Sequence, residues 1–170
     1  MVSMGPNSYS RSYFHMTDFK DIRGNSRSIK MVENSILDIV NKAEEFSKFR
    51  ELIHHSQYES KLNDCCYVNT TLFVPVNEAF PVGFIDELDR HQANMYIVAN
   101  TIDRVIPSEL LEYTPYAIFQ TKFTTPNYIK VKNVNGSTYI NDCKVIIKDI
   151  MANNGIIHVV DSLNIPEYYI

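Results

Sequence analysis

The segment 153–166 near the C-terminus constrains the fold of this chain more than any other stretch. It begins with Asn154-Gly155, a pair typical of tight turns because both residues tolerate positive φ. An apolar run surrounds one histidine, His158, and suits a pleated surface because it contains four β-branched residues: Ile156, Ile157, Val159 and Val160. Asp161 and later Pro166 end the run. The pattern predicts a buried strand, entered by a tight turn, that closes a sheet.

The composition is that of a globular protein with a single domain. The 170 residues are 45% hydrophobic and 21% charged, which suffices for one core. The net charge is −4 and the isoelectric point is about 5.7, whereas a nucleic-acid binder usually carries a basic face. No apolar run could span a bilayer, and the charged N-terminus lacks the apolar stretch of a signal peptide. We expect no nucleic-acid partner and no transmembrane segment, and the cellular location stays open.

The cysteines predict neither a disulfide framework nor a metal site. Their number is odd, and Cys65, Cys66 and Cys143 do not have the spacing of zinc ligands. We expect reduced and mostly buried thiols, although one bridge from Cys143 to Cys65 or Cys66 remains open. Nothing else in the sequence indicates a metal or a cofactor, and a glycine-rich phosphate loop is absent.

The chain divides into an arm, a domain and a tail. Residues 1–33 are polar, with scattered aromatic residues and no clear period, which predicts a partly disordered N-terminal arm. Its aromatic residues favour docking on the domain or self-association with a second copy. Residues 34–166 form the predicted domain, and 167–170 form a C-terminal tail.

Hydrophobic periodicity places helices mainly in the N-terminal half and strands in the C-terminal half. Ser35 and Asp38 are spaced as a capping box at the start of the first helix. Helices are predicted at about 35–42, 45–56 and 84–100, with a short one from Pro107. Strands are predicted at 72–74, 101–105, 116–123, 128–134, 137–140 and from 145 into the segment 153–166. This distribution predicts an α+β fold shaped as a wedge or sandwich.

Two separate segments resemble a known family. Thr71 to Phe80, where a strand meets a proline and a short helix, resembles the first hallmark segment of fasciclin domains. The segment 153–166 resembles the second, and their separation fits the family. The resemblance covers about 34–166 and implies a fasciclin-like domain of about seven strands. It implies structural roles for the matching residues, which are Thr71, Phe73, Pro75, Asn77, Glu78, Ala79, Phe80, Asn154, Gly155, His158, Asp161 and Pro166.

One pair before the second segment suggests a partner contact. Asp149-Ile150 matches an Asp-Ile pair through which fasciclin domains of matrix proteins are proposed to contact integrins. In the alternative interpretation, Ile150 is a core residue and Asp149 caps a turn. The family's Tyr-His pair is absent, because Val98-Ala99 stands at about that place. This departure weakens any adhesive role carried over from that pair.

The sequence offers no assembled catalytic group. His158 as a base would need a nucleophile and an orienting acid, and Asp161 would not share its face of a strand. We expect His158 to be a packing residue, and Asn77 with Glu78 to belong to a capped short helix.

The resemblance therefore implies a non-catalytic module for cell adhesion or protein interaction. Its partner would be a protein or a glycan at a surface, with an integrin-like receptor as one candidate. The family suggests an extracellular or surface location. The alternatives are a small-molecule or lipid-binding domain, a hydrolase that uses His158 or His55, and a structural surface protein assembled through the arm.

Overall fold

The computed structural model describes residues 14–20, 26–32, 34–62, 69–113, 116–121 and 128–165. The predictions for Cys65, Cys66, Pro166 and the tail 167–170 lie outside the described residues.

The predicted arm contains a pair of strands. Strands β1 (Phe14–Lys20) and β2 (Ser26–Val32) run antiparallel, with Phe14 opposite Val32 and Lys20 opposite Ser26. The sequence predicts no strand here, because the segment lacks a clear alternation. The boundaries of the arm, the domain and the tail stay predictions.

Two successive helices begin the globular part, as predicted. Helix α1 (Ile36–Lys42) starts at the predicted capping box, in which the Ser35 hydroxyl oxygen accepts from the Asp38 N–H at 3.1 Å. The Asp38 carboxylate accepts from the Ser35 N–H at 2.9 Å. After a 3₁₀ turn (Glu44–Phe46), helix α2 (Ser47–Ser56) buries Phe49, Leu52 and Ile53.

The remaining helices are short, and one predicted helix is interrupted. Helix α3 is Glu59–Leu62, α4 is Arg90–Val98 and α5 is Ser108–Tyr113, with 3₁₀ turns at Asn77–Ala79 and Ile85–Glu87. The prediction of one helix over 84–100 was wrong, because Leu88 is extended and Asp89 caps α4 through the Gln92 N–H. A strong N-cap inside an apolar pattern starts a new helix. None of the helices in the described part of the chain is long and apolar enough to cross a membrane.

Seven strands form one mixed sheet, which confirms the predicted α+β class and strand number. The strands lie in the order β4-β3-β9-β8-β7-β6-β5, and only β3 and β9 pair in parallel. Their bounds are β3 (Thr70–Pro75), β4 (Thr101–Ile102), β5 (Tyr116–Gln120), β6 (Tyr128–Val134), β7 (Ser137–Ile140), β8 (Cys143–Ala152) and β9 (Gly155–Val160). The two hallmark segments thus lie side by side, as the second and third strands of the sheet.

Strands β3 and β9 are buried on both faces, between two apolar clusters. The helical cluster contains Leu72, Val74, Ile157 and Val159 together with residues of α1, α2 and α4. The sheet cluster, on the other side, contains Phe73 and Val160 together with residues of β6, β7 and β8. Successive residues of a strand point to opposite faces, so β3 and β9 contribute to both clusters.

Candidate functional site

His158 of β9 is wholly buried in this sheet, opposite Phe73 of β3. Its Nδ1 accepts from the backbone N–H of Asp149 at 3.2 Å, so the proton resides on Nε2, which donates to the carbonyl oxygen of Ile106 at 2.7 Å. Burial lowers the pKa of His158 below 6.5, although the bond to Ile106 and the charge of Asp149 act in the opposite direction. The imidazole therefore links three segments of backbone as a neutral group.

Asp149 belongs to an irregular stretch of β8 and forms, with His158 and Ser108, a buried polar cluster. The register of β8 against β9 shifts between Ile147 and Ile150, and Asp149 has a φ of +61°. Its carboxylate accepts from the Ser108 N–H at 2.8 Å and from the Ser108 hydroxyl. Two donors at the start of α5 are thereby satisfied by a carboxylate from a strand.

The Asp-Ile pair that the resemblance singled out is buried. Asp149 is 5% exposed and Ile150 is fully buried in the helical cluster. Partner binding by this pair stays a prediction, and it would require both side chains to leave these positions. In the fold as it stands, Asp149 caps α5 and Ile150 packs in the core, close to the alternative interpretation of the sequence.

The connections within the cluster differ from those of a catalytic triad. In a triad, histidine accepts the proton of the serine hydroxyl and donates to the carboxylate. Here the Ser108 hydroxyl donates to Asp149, whereas hydrogen bonds of the His158 ring join it to the backbone N–H of Asp149 and the carbonyl oxygen of Ile106. All three side chains are buried. The cluster can therefore hold the chain together, but its hydroxyl is not positioned for proton transfer to His158.

Other groups capable of chemistry are dispersed. His54 pairs with Glu59 at 2.7 Å, whereas His55 Nε2 lies 2.6 Å from the carbonyl oxygen of Leu88. Burial raises the pKa of the Cys143 thiol to about 11, so the thiol is protonated and unreactive at neutral pH. Among the described residues, no cluster of three or more histidine, cysteine, aspartate or glutamate side chains could hold a metal ion.

The first hallmark segment connects β3 to its neighbours. The Thr71 hydroxyl donates to the carbonyl oxygen of Arg104 and accepts from the Ile106 N–H at 2.8 Å. The Phe73 ring lies 5.6 Å from the His158 ring, measured between centroids. Pro75 ends β3 opposite Val160. Ile106 thus receives bonds from both hallmark segments.

The prediction that Asn77 caps its own short helix was wrong. Its side-chain oxygen accepts from the Lys48 N–H at 2.8 Å, and its side-chain nitrogen donates to the Glu44 carbonyl oxygen at 2.9 Å. Asn77 already lies inside the 3₁₀ turn, whose N-cap is Val76, so its side chain is free to reach the start of α2. Glu78 is exposed and Ala79 half-buried, while Phe80 packs in the helical cluster.

The turn that begins the second hallmark segment uses neither of its residues at positive φ, contrary to prediction. Asn154 is buried; its side-chain oxygen accepts from the Ile36 N–H at 2.9 Å, and its nitrogen donates to the Leu62 carbonyl oxygen at 3.2 Å. A Cβ atom on Gly155 would lie 2.0 Å from the Thr70 carbonyl oxygen. Glycine is therefore required for close approach rather than for a left-handed conformation.

Asp161 directly follows β9 and forms hydrogen bonds with β8. Its carboxylate accepts from the Lys144 N–H at 3.0 Å and from the Ser162 hydroxyl at 2.6 Å, and its own N–H donates to the Lys144 carbonyl oxygen.

One surface feature was not recognised in the sequence. The sheet cluster covers one face of β6, β7 and β8, and the opposite face carries Lys130, Lys132, Lys144, Tyr128 and Tyr139, which we call the lysine–tyrosine face. Three apolar residues on the same strands or the adjoining β5 are about half exposed: Ile118, Val134 and Ile146. The alternation within β6 was visible in the sequence, but the register that aligns it with β7 and β8 was not.

Comparison with known proteins links this arrangement to one family. The sequence profile described as Fasciclin domain matches residues 44–166, a range that includes both hallmark segments. Human periostin is 30% identical over 143 residues, a match that covers 81% of this chain and 17% of periostin. The chain thus corresponds to a small part of that relative.

A solved structure shares the fold. It is the FAS1 domain pair from the insect cell adhesion molecule fasciclin I, which matches with a TM-score of 0.63 and 16% sequence identity. The match covers 90% of this chain and 60% of that one. At this identity the likeness concerns the fold alone.

Proposed function

This chain belongs to the fasciclin domain family, and we propose that it is a non-catalytic interaction module that attaches to a protein or glycan at a surface. The observation that carries the proposal is the family match over 44–166, which spans the helices from α2 to α5 and the whole seven-stranded sheet. The match to the relative periostin supports the family membership, and an insect cell adhesion molecule shares the fold. A fold hosts many functions, so the family membership supports this proposal by analogy.

The use of the buried polar groups also supports a non-catalytic role. The side chains of His158, Asp149 and Ser108 bond to one another or to backbone groups inside the fold. A general base must be within reach of a substrate proton, and His158 is fully buried. These groups therefore favour a rigid scaffold whose binding function lies on its surface.

Contact through Asp149-Ile150 is a separate part of the proposal. Because both side chains are buried, truncation to alanine would damage the fold and any contact together. Two milder changes are better suited to the test. Asp149→Asn preserves the size of the side chain, and Ile150→Val preserves its branched shape. Loss of attachment in these variants, at unchanged thermal stability, is the result expected from a direct contact. Unchanged attachment would remove the pair from the proposal while leaving the module intact.

The function is tested by attachment of the intact, folded chain. The immobilised chain is presented to cells and to purified extracellular-matrix proteins, with serum albumin and heat-denatured chain as controls. We expect saturable attachment to the folded chain only. Absence of attachment by a chain with a native circular dichroism spectrum would contradict an adhesive function.

The non-catalytic part is tested separately with esterase and glycosidase substrates. We expect no turnover above the buffer rate. Turnover that disappears in His158→Gln, while the thermal transition persists, would assign the chain to the hydrolases instead.

A further inference from the structure

The lysine–tyrosine face contains a row of alternating side-chain types. Lys132 of β6 lies directly opposite Tyr139 of β7, and Tyr139 lies directly opposite Lys144 of β8. Neighbouring strands are about 4.8 Å apart, so groups of one kind repeat about every 10 Å. Lys130 lies two residues before Lys132, on the same face of β6.

The lysines of this row form no ion pair with the described carboxylates. In the described part of the chain, no carboxylate forms an ion pair with Lys130, Lys132 or Lys144, all of which are exposed. The carboxylate of Asp161 is occupied by the Lys144 N–H and the Ser162 hydroxyl. Glu112 pairs with Lys148. A net charge of −4 for the whole chain makes this face a local exception.

We propose that the lysine–tyrosine face binds a linear sulfated polysaccharide. This inference rests on the proposed function and specifies a glycan as the surface partner. A sulfate group is a permanent anion suited to a lysine ammonium group, and the apolar face of a sugar ring packs on an aromatic ring such as Tyr139. A chain lying across the strands would bring anionic groups to Lys132 and Lys144 with a ring between them. The repeat of the row therefore matches a polymer better than a single small anion.

Charge and composition favour a glycan over the other polyanions. Domains that bind nucleic acid commonly have an isoelectric point above 9, compared with about 5.7 for this chain. The buried core of a protein–protein interface is depleted of charged residues and of lysine, whereas the exposed apolar residues here are separated by lysines. An anionic membrane would attract the lysines but offers no repeating row of groups.

The direct test measures binding of size-defined heparin oligosaccharides to the intact chain by calorimetry at 0.15 M salt. We expect saturable binding that weakens as the salt concentration rises, because the contacts are exposed charges. Each lysine removed should raise Kd about five-fold, as for a lysine at an anionic surface. The triple variant Lys130→Gln, Lys132→Gln, Lys144→Gln should therefore lose about a hundred-fold in affinity.

A matched control removes the same charge from the helical half of the molecule. Lys42, Lys48 and Arg90 are also exposed, and their triple change to glutamine lowers the net charge equally. We expect heparin binding to be retained in this control. Equal loss in both triple variants would overturn the proposal, because binding would then depend only on overall charge.

Changes at Tyr139 separate ring stacking from charge. Tyr139→Phe should retain binding, whereas Tyr139→Ser should weaken it several-fold at unchanged net charge. Equal affinity in both variants would overturn the role of the ring and, with it, the alternating row.

Competing ligands decide the chemical class. Chemically desulfated heparin of equal length should not bind. Tighter binding of a single-stranded oligodeoxynucleotide, or of phosphatidylserine vesicles, would overturn the assignment to a glycan. Attachment to matrix proteins without any heparin binding would refute this inference and leave the proposed function standing. Heparin binding without cell or matrix attachment would support the glycan site and contradict the adhesive part of the proposed function.

Discussion

Gly155 shows how a single residue permits the central pairing of the fold. It lies opposite Thr70, where the parallel strands β3 and β9 begin. The Thr70 carbonyl oxygen would be 2.0 Å from a Cβ atom at position 155, and the Ile36 side chain would be 3.0 Å away. Backbone within a sheet cannot move aside as the end of a flexible side chain can. A side chain at this position would therefore push the two hallmark segments apart.

We predict that Gly155→Ala lowers the free energy of unfolding by about 3 kcal/mol, the upper range for overpacking a core. Urea denaturation followed by circular dichroism measures the change. Gly136→Ala is the comparison, because no atom lies within 4 Å of its Cβ position and only the positive φ of 80° opposes alanine. We expect about 1 kcal/mol there. Equal losses in the two variants would contradict steric exclusion at Gly155.

His158 makes the stability of the domain depend on pH. Burial lowers its pKa in the folded chain below 6.5, so the unfolded chain binds a proton first as the pH falls. The free energy of unfolding is therefore highest above about pH 6.5 and decreases as the pH falls below it, until the folded-state pKa is reached. Protonation would also remove the acceptor for the Asp149 N–H.

We predict that His158→Gln reduces stability at pH 8 but flattens its decline between pH 7 and pH 5.5. Glutamine can still donate and accept one hydrogen bond each, but it does not titrate. Urea titrations at several pH values measure the slope, which for one proton is at most about 1.4 kcal/mol per pH unit. His91→Gln, on the exposed side of α4, should keep the wild-type slope. A wild-type slope in His158→Gln would show that the pH dependence arises elsewhere.

At the scale of elements, the first hallmark segment organises a helix that precedes it in the chain. Asn77 accepts from the Lys48 N–H and donates to the Glu44 carbonyl oxygen, and so joins the 3₁₀ turn before α2 to the end of β3. The N-cap of α2, Phe46, provides no side-chain hydrogen bond of its own. The start of this helix is therefore capped from a segment about thirty residues away.

We predict that Asn77→Ala lowers the free energy of unfolding by about 1 kcal/mol, the usual cost of removing an N-cap. Asn77→Asp should lose less, because it retains the acceptor for the Lys48 N–H. Glu78→Ala is the matched control, since that side chain is exposed beside it. Thermal unfolding of the three variants in parallel is the measurement. If Glu78→Ala lowers the free energy of unfolding as much as Asn77→Ala does, the effect comes from the 3₁₀ turn itself rather than from the cap.

Sequence reasoning succeeded for elements whose signals are local. The capping box of Ser35 and Asp38 is complete within four residues, and α1 begins where it predicts. It failed where a side chain is used at a distance: Asn77 caps α2, Asn154 binds Ile36 and Leu62, and Asp149 caps α5. Asparagine and aspartate have the same turn propensity whether they bond locally or far away. Only the packing of helices, turns and strands in the folded domain determines which partner each one meets.

For the candidate site, the sequence indicated His158 as a packing residue but gave no sign of its partners. Ile106 and Ser108 lie some fifty residues before it, and only the fold brings them together. The lysine–tyrosine face could not be predicted either, because its row depends on the pairing of three strands. The position of a residue on a face follows from local alternation, whereas its neighbours across strands follow from register.

At the scale of the whole molecule, the two apolar clusters share strands β3 and β9. Leu72 contributes to the helical cluster, and the next residue, Phe73, contributes to the sheet cluster. β9 alternates in the same way and pairs in parallel with β3 along its length. Neither cluster can lose its packing without exposing a face of these strands. We therefore expect the domain to unfold in a single cooperative transition.

We predict that Leu72→Ala and Phe73→Ala each lower the free energy of unfolding by about 3–5 kcal/mol within one common transition. Circular dichroism reports the helices, which lie mainly beside the helical cluster. Fluorescence reports the tyrosines, because the chain contains eleven of them and no tryptophan. The two probes should give the same urea midpoint in the wild type and in each variant. Different midpoints from the two probes in either variant would show that the domain does not unfold as one unit and that the shared strands do not couple the clusters.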